Sequence, residues 1–150
     1  RTGKRNLKYD QPAEMDFWGE GNKNDDAPGK IRNISFSDIH ADVTVTERDK
    51  TPIMITGIPD SAVENISLYN VAVEFPGGGT AEEANRTVAE DEYKYPEQWF
   101  FGTLPAYALY ARHVKGLNMH HVCFSLKETD ERPAMVLEDV SKRGDNNSMN

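Results

Sequence analysis

The chain has a single cysteine, Cys123, among 150 residues, so an internal disulfide is excluded and cysteine usage leaves the compartment open. Cys123 follows Val122 in an apolar stretch, which predicts burial rather than reactivity. A long basic stripe is also missing. With 17 Lys and Arg against 25 Asp and Glu, the net charge of -8 argues against a nucleic-acid partner, which needs cations to displace phosphate counterions. No apolar run approaches the length of a membrane span. No signal peptide opens the chain and no initiating Met is present, so it reads as a mature or excised piece. What remains is 37% hydrophobic and 28% charged, enough for one domain with much of its length in surface loops.

Within that composition one short pattern recurs. Ile31-Arg-Asn-Ile-Ser-Phe-Ser-Asp-Ile39, Val63-Glu-Asn-Ile-Ser-Leu-Tyr-Asn-Val71 and Val114-Lys-Gly-Leu-Asn-Met-His-His-Val122 each place apolar residues at the first, fourth, sixth and ninth positions. A shorter echo, Met135-Val-Leu-Glu-Asp-Val140, matches the last three of these. The two-residue step in each, such as Ile34 to Phe36, is the period of a strand with one buried face. β-Branched runs nearby, Val43-Thr-Val-Thr46 and Ile53-Met-Ile55, suit a pleated surface. A unit with one or two short strands cannot bury its apolar face alone, so neighbours must stack. The expectation is all-β: a right-handed parallel β-helix, or solenoid, over residues 1–142, followed by a polar tail over 143–150.

The interval from Val63 to Val114 is longer than that from Ile31 to Val63. A solenoid keeps its strands and varies its loops, so one long protruding loop is expected around 76–104. That stretch holds Pro76-Gly-Gly-Gly-Thr80, an acidic run from Ala81 to Glu92, and the aromatics Tyr93, Tyr95, Trp99, Phe100 and Phe101. Such a loop either carries a site or covers a sheet edge. Aromatic faces stack on sugar rings; Phe100 and Phe101 are assigned to capping the core, Tyr95 and Trp99 to a groove.

Polar residues recur in columns of the pattern. Asn33 and Asn65 share one; Asp38, Asn70, His121 and Asp139 share a second. These turn the chain between strands and bond the backbone of adjacent coils. Asn33, Asn65, Asn85 and Asn146 also begin Asn-x-Ser/Thr sequons.

Few residues point to chemistry. Asp38 and Asp42, on an extended strand, would lie roughly 13 Å apart, beyond the roughly 6.5–9.5 Å of an inverting glycosidase pair. His120 and His121, as neighbours on a strand, are expected on opposite faces, and no ligand spacing supports zinc or another metal. Arg112-His113 sits where a strand meets a loop, with anion binding and loop anchoring as its two readings. The cluster Arg1, Lys4, Arg5 and Lys8 either meets an acidic ligand or is a solvated strand end. Gly77-Gly-Gly79 is not followed by Lys-Ser/Thr, so it is no phosphate loop.

Ile31–Ile39, Ile55-Thr-Gly-Ile-Pro59, Val63-Glu-Asn-Ile66, Tyr95-Pro-Glu97, Phe101-Gly-Thr-Leu-Pro-Ala-Tyr107 and Arg112-His-Val114 together resemble the C-terminal coils of polygalacturonase-like proteins, glycoside hydrolase family 28. The opening Arg1-Thr-Gly-Lys-Arg5 resembles the strand end that follows the active-site coils there. The resemblance spans about Arg1 to Lys142 and implies a secreted or periplasmic enzyme that hydrolyses pectin-type acidic polysaccharide with inversion, without a cofactor. The family's Asn-Thr-Asp, Asp-Asp, Gly-His-Gly and Arg-Ile-Lys motifs are absent, and Lys30-Ile-Arg32 opens a repeat unit instead. No catalytic residue is therefore assigned; the catalytic aspartates are expected upstream of Arg1. Substrate contacts are assigned to Lys4, Arg5, Tyr95, Trp99, Arg112 and His113. The open β-helix edge requires the remaining N-terminal coils or another copy as partner. A non-catalytic carbohydrate-binding module and a structural β-helix module are the rival readings.

Overall fold

A computed structural model describes residues 28–44, 51–92 and 98–142. They form five strands: β1 (Arg32–Asp42), β2 (Ile53–Thr56), β3 (Val63–Phe75), β4 (Leu109–Leu126) and β5 (Met135–Lys142). All four strand pairings are parallel, and helix is confined to the four-residue α1 (Ala81–Ala84) and a 3-10 turn, Gln98–Phe101. The fold is all-β.

Chain order and sheet order differ in an informative way. β2 and β3 lie end to end along one edge of β4: Ile53–Thr56 faces Leu109–Arg112, and Val63–Phe75 faces Val114–Leu126. β5 takes the other edge of β4, and β1 the free edge of β3. The sheet is thus a stack of four rungs, β1, β2 with β3, β4, then β5, with offsets of 32 residues from β1 to β3, 51 from β3 to β4 and 26 from β4 to β5.

The rungs are bent, not flat. Asn33, Asn65 and Gly116 share a column and all have positive φ (58°, 54° and 80°). So do Asp38, Asn70 and His121 (55°, 53° and 51°), and His113 with Asp139 (51° and 50°). This left-handed region costs least for Gly, Asn and Asp, with His also enriched there, and each such residue turns the strand at a corner. The corners explain the 1-4-6-9 spacing. Each three-residue step straddles a left-handed residue, as in Val63 to Ile66 across Asn65 and Leu68 to Val71 across Asn70, and the two-residue step lies between corners.

The bends curl the sheet around a dry interior. Val63, Ile66, Leu109, Ala111, Val114 and Leu117 form one buried cluster, and Leu68, Val71, Val73, Phe75 and Ala108 another. Ile53, Met119 and Phe124 touch both, so residues far apart along a rung meet across the inside. Corner side chains bond along the stack: Asn65 Nδ2 donates to Asn33 Oδ1 (3.0 Å) and Asn70 Nδ2 to Asp38 Oδ1 (2.7 Å). The bonds between adjacent coils therefore run from side chain to side chain and not, as expected, to the backbone. Gly116 has to be small as well, since a Cβ there would sit 2.9 Å from Asn65 Oδ1.

Four further expectations need correction. The Met135–Val140 echo does not stack on Leu117–Val122 but on Leu109–Val114, so Asp139 shares a column with His113, not with His121. Both segments carry the same apolar spacing, and the short 26-residue offset brings β5 back over the first part of β4. Cys123 is exposed, because the corner at His121 resets the alternation and turns Val122 inward and Cys123 outward. His120 and His121 do not point apart: both rings lie near Tyr69, at centroid distances of 6.5 and 5.9 Å. Finally, the segment around 76–104 does not simply protrude. Its Val88, Phe101 and Leu104 are buried with Ala106 and Tyr110, against Met54, Phe100 and Val136.

That packing has a clear cause. Met54, Tyr110 and Val136 form one outward column across three rungs, an apolar strip that needs cover. The loop supplies it, so Phe100 and Phe101 cover the outside of the sheet, not the end of its core. Thr80 starts α1 with a capping box, accepting from Glu83 N (3.3 Å) while its own N–H donates to Glu83 Oε2 (2.9 Å). The glycine run before it allows close approach: a Cβ on Gly79 would overlap Arg132 and Asp130. Asp130 accepts from Gly79 N (2.9 Å), and from Arg132 N (2.8 Å), Nε (3.0 Å) and Nη2 (2.8 Å); Arg132 Nη1 donates to Leu104 O. This buried pair ties the β4–β5 turn to both ends of the long loop.

Candidate functional site at the loop junction

Three residues of β4, Tyr110, Arg112 and His113, gather a cluster of ionisable groups around them. Tyr110 and Arg112, two apart on an extended segment, share a face, and His113 is a corner residue whose ring turns toward the neighbouring rung. Arg112 is 4% exposed, its guanidinium 5.8 Å from the Tyr110 ring. Its Nη1 and Nη2 donate to Val88 O (2.8 Å) and Ala89 O (2.9 Å), and Nη1 lies 3.5 Å from Glu90 and 3.8 Å from Glu138. Arg112 thus fastens the β3–β4 loop to the sheet through backbone carbonyls, a geometry that suits a planar, always charged fork.

His113 Nδ1 lies 2.7 Å from Asp139 Oδ2 and Nε2 lies 3.1 Å from Glu90 Oε1, so one imidazole joins the loop to β5. Burial alone would lower its pKa, but the bonds to Asp139 and Glu90 outweigh it and hold the ring above the usual histidine range. Tyr110 OH donates to Glu138 Oε2 (2.7 Å). Burial first, and then that bond, keep the phenol protonated well above its ordinary range. The cluster can hold a loop in place and exchange a proton at His113.

Of the residues assigned to substrate contact, Arg112 and His113 are brought together here. Lys4, Arg5 and Tyr95 lie outside the described residues, as does the side chain of Trp99, whose backbone is in the 3-10 turn. Arg112 has the geometry of the loop-anchoring reading. Sequence reasoning missed Tyr110, Glu90 and Glu138 as members of the cluster. Glu138-Asp139 was within reach: aligning Met135–Val140 with Leu109–Val114 places it beside Arg112-His113. The Asp130–Arg132 pair left no periodic trace.

The two aspartates weighed as an internal catalytic pair are separately engaged. Asp38 accepts from Asn70, and Asp42 pairs with Lys127. Among the described residues no three His, Cys, Asp or Glu side chains converge as metal ligands, and no helix is long and apolar enough to cross a membrane. Comparison with known proteins finds no matching family model, no matching curated protein and no matching solved structure.

Proposed function

We propose that the chain is the C-terminal part of a right-handed parallel β-helix of the polygalacturonase-like kind, belonging to a secreted or periplasmic enzyme that hydrolyses pectin-type acidic polysaccharide with inversion. The observation that carries this reading is the stack of parallel rungs with polar left-handed corners in shared columns. A right-handed crossover between successive parallel strands is the form almost always adopted. The family resemblance of the loop and of Arg112-His-Val114 supplies the substrate class. In this reading the described coils are scaffold, and the catalytic aspartates belong to coils upstream of Arg1. In the same reading Lys4, Arg5, Tyr95, Trp99 and His113 contact the polymer, and Arg112 sets the β3–β4 loop.

The test is an assay of the full gene product against polygalacturonate, with product configuration followed by NMR. Hydrolysis with inversion is expected, and no cleavage or binding of any uronide overturns the reading. A second reading, a non-catalytic structural or carbohydrate-binding β-helix module, is favoured by the apolar rows exposed at both ends of the described stack, Ile34, Phe36 and Ile39 on β1 and Met135 and Leu137 on β5. These rows fit a further coil of the same solenoid or another copy. A stable oligomer by light scattering, with no sugar released, selects it.

A further inference from the structure

The geometry of His113 carries a consequence that does not depend on which sugar, if any, the protein takes. Both ring nitrogens face carboxylate oxygens, Asp139 Oδ2 at 2.7 Å and Glu90 Oε1 at 3.1 Å. A carboxylate oxygen accepts and does not donate, so both contacts are hydrogen bonds only when the imidazole carries both protons. A neutral ring has one N–H, and whichever nitrogen loses its proton then sets a lone pair against a carboxylate. We propose that His113 is a proton-operated latch that ties the β3–β4 loop to β5, closed in the imidazolium form and opened on loss of one proton.

The surrounding groups determine how far the latch opens. The loop presents Glu90; β5 presents Glu138 and Asp139; β4 presents Arg112 and Tyr110. The bonds from Arg112 to the Val88 and Ala89 carbonyls do not pass through His113 and persist when the latch opens. Opening is therefore local, confined to the Glu90 end of the loop and the Asp139 corner, and the sheet stays folded. The direction follows from the raised pKa of His113: the latch is fully engaged below the unfolded-state histidine value and is lost as pH rises through the folded-state value. Corner geometry favours the same residue, since His113 and Asp139 are both left-handed and adjacent in one column.

Amide hydrogen exchange on this chain, corrected for intrinsic rates and run from about pH 5.5 to about pH 8.5 to span histidine titration, tests the proposal. Protection at Glu90 and Asp139 should fall by about tenfold across the range, as expected for losing one charge-assisted bond, while β3 amides stay constant. His113→Asn keeps a residue suited to the corner but removes the titrating ring; it should show the low protection at every pH. If that variant does not fold, Asp139→Asn serves instead, and its step should move to lower pH because one anionic partner is gone. Protection that is flat in the wild-type chain, a step that persists in His113→Asn, or a midpoint unmoved in Asp139→Asn overturns the latch. None of these outcomes depends on uronide cleavage.

Discussion

Ile34, Ile66 and Leu117 occupy one column of the ladder, yet Ile34 is 38% exposed while Ile66 is 2% and Leu117 5%. Phe36 and Leu68 repeat the contrast one position on, at 44% and 3%. Among the described residues the inner rungs have a neighbour on each side, and β1 and β5 have one. In a stack of this kind burial belongs to the position of a rung, because each rung contacts only the rungs next to it. Within the described stack β1 and β5 are therefore held by something besides sandwiching, and the two are built differently. β1 relies on its pairing with β3, on the corner bonds of Asn33 and Asp38, and on the ion pair of Asp42 with Lys127 just past β4. β5 is tied in addition by Asp130–Arg132 at its entry, by Tyr110–Glu138 and by His113–Asp139.

The sharpest way to break this difference is to cut the tether of β5. Asp130→Ala leaves the guanidinium of Arg132 buried without its anion, a change that typically costs about 3–5 kcal/mol. Exchange should rise in Met135–Lys142 before it rises in Val63–Phe75; a uniform response would mean that β5 is held by stacking alone. Burial would raise the Asp130 pKa, but its bonds from Arg132 and Gly79 prevail and hold it below the usual carboxylate range. Its contribution is present above the unfolded-state value and is lost as pH falls through the folded-state value, so acid should loosen β5 first. Next in size is the column itself. Ile66→Ala should cost about 2–5 kcal/mol and Ile34→Ala markedly less, since only the first opens a cavity between two rungs. Equal losses in urea melts would show that β1 is as well covered as β3.

Much of this architecture was readable because the inward residues are aliphatic and recur at fixed steps. Val63 does pair with Val114, and Ile66 with Leu117. What misled at Cys123 was reading burial from an apolar stretch without carrying the alternation through the corner before it. A single left-handed residue resets the alternation: His121, in the turning column of Asp38 and Asn70, brings Val122 inward and leaves Cys123 exposed. The register of β5 was ambiguous for a different reason, since β4 carries the same spacing twice, at Leu109-Ala111-Val114 and at Leu117-Met119-Val122. The site was legible only in part. Arg112-His113 stood out by charge, whereas Glu90 is brought to it by a loop whose path depends on covering Met54, Tyr110 and Val136, a three-rung strip that no single rung displays.

The smallest expected effect separates the corner backbone from the corner bond. Asn70 has a φ of 53° and donates to Asp38 at 2.7 Å. Asn70→Ala removes the bond and places an ordinary residue in the left-handed region, which together should cost about 1–2 kcal/mol. Asn70→Gly removes the bond but relaxes the backbone, so its loss should be smaller in spite of glycine's greater freedom when unfolded. If the two variants melt together, the exposed side-chain ladder dominates and each rung is held to the next by polar bonds along the outside. If Gly recovers most of the loss, the corner conformation dominates and the bond is secondary. The second result is expected, because Asn70 and Asp38 are solvated and water offers both groups replacement partners, whereas no solvent relieves a strained φ.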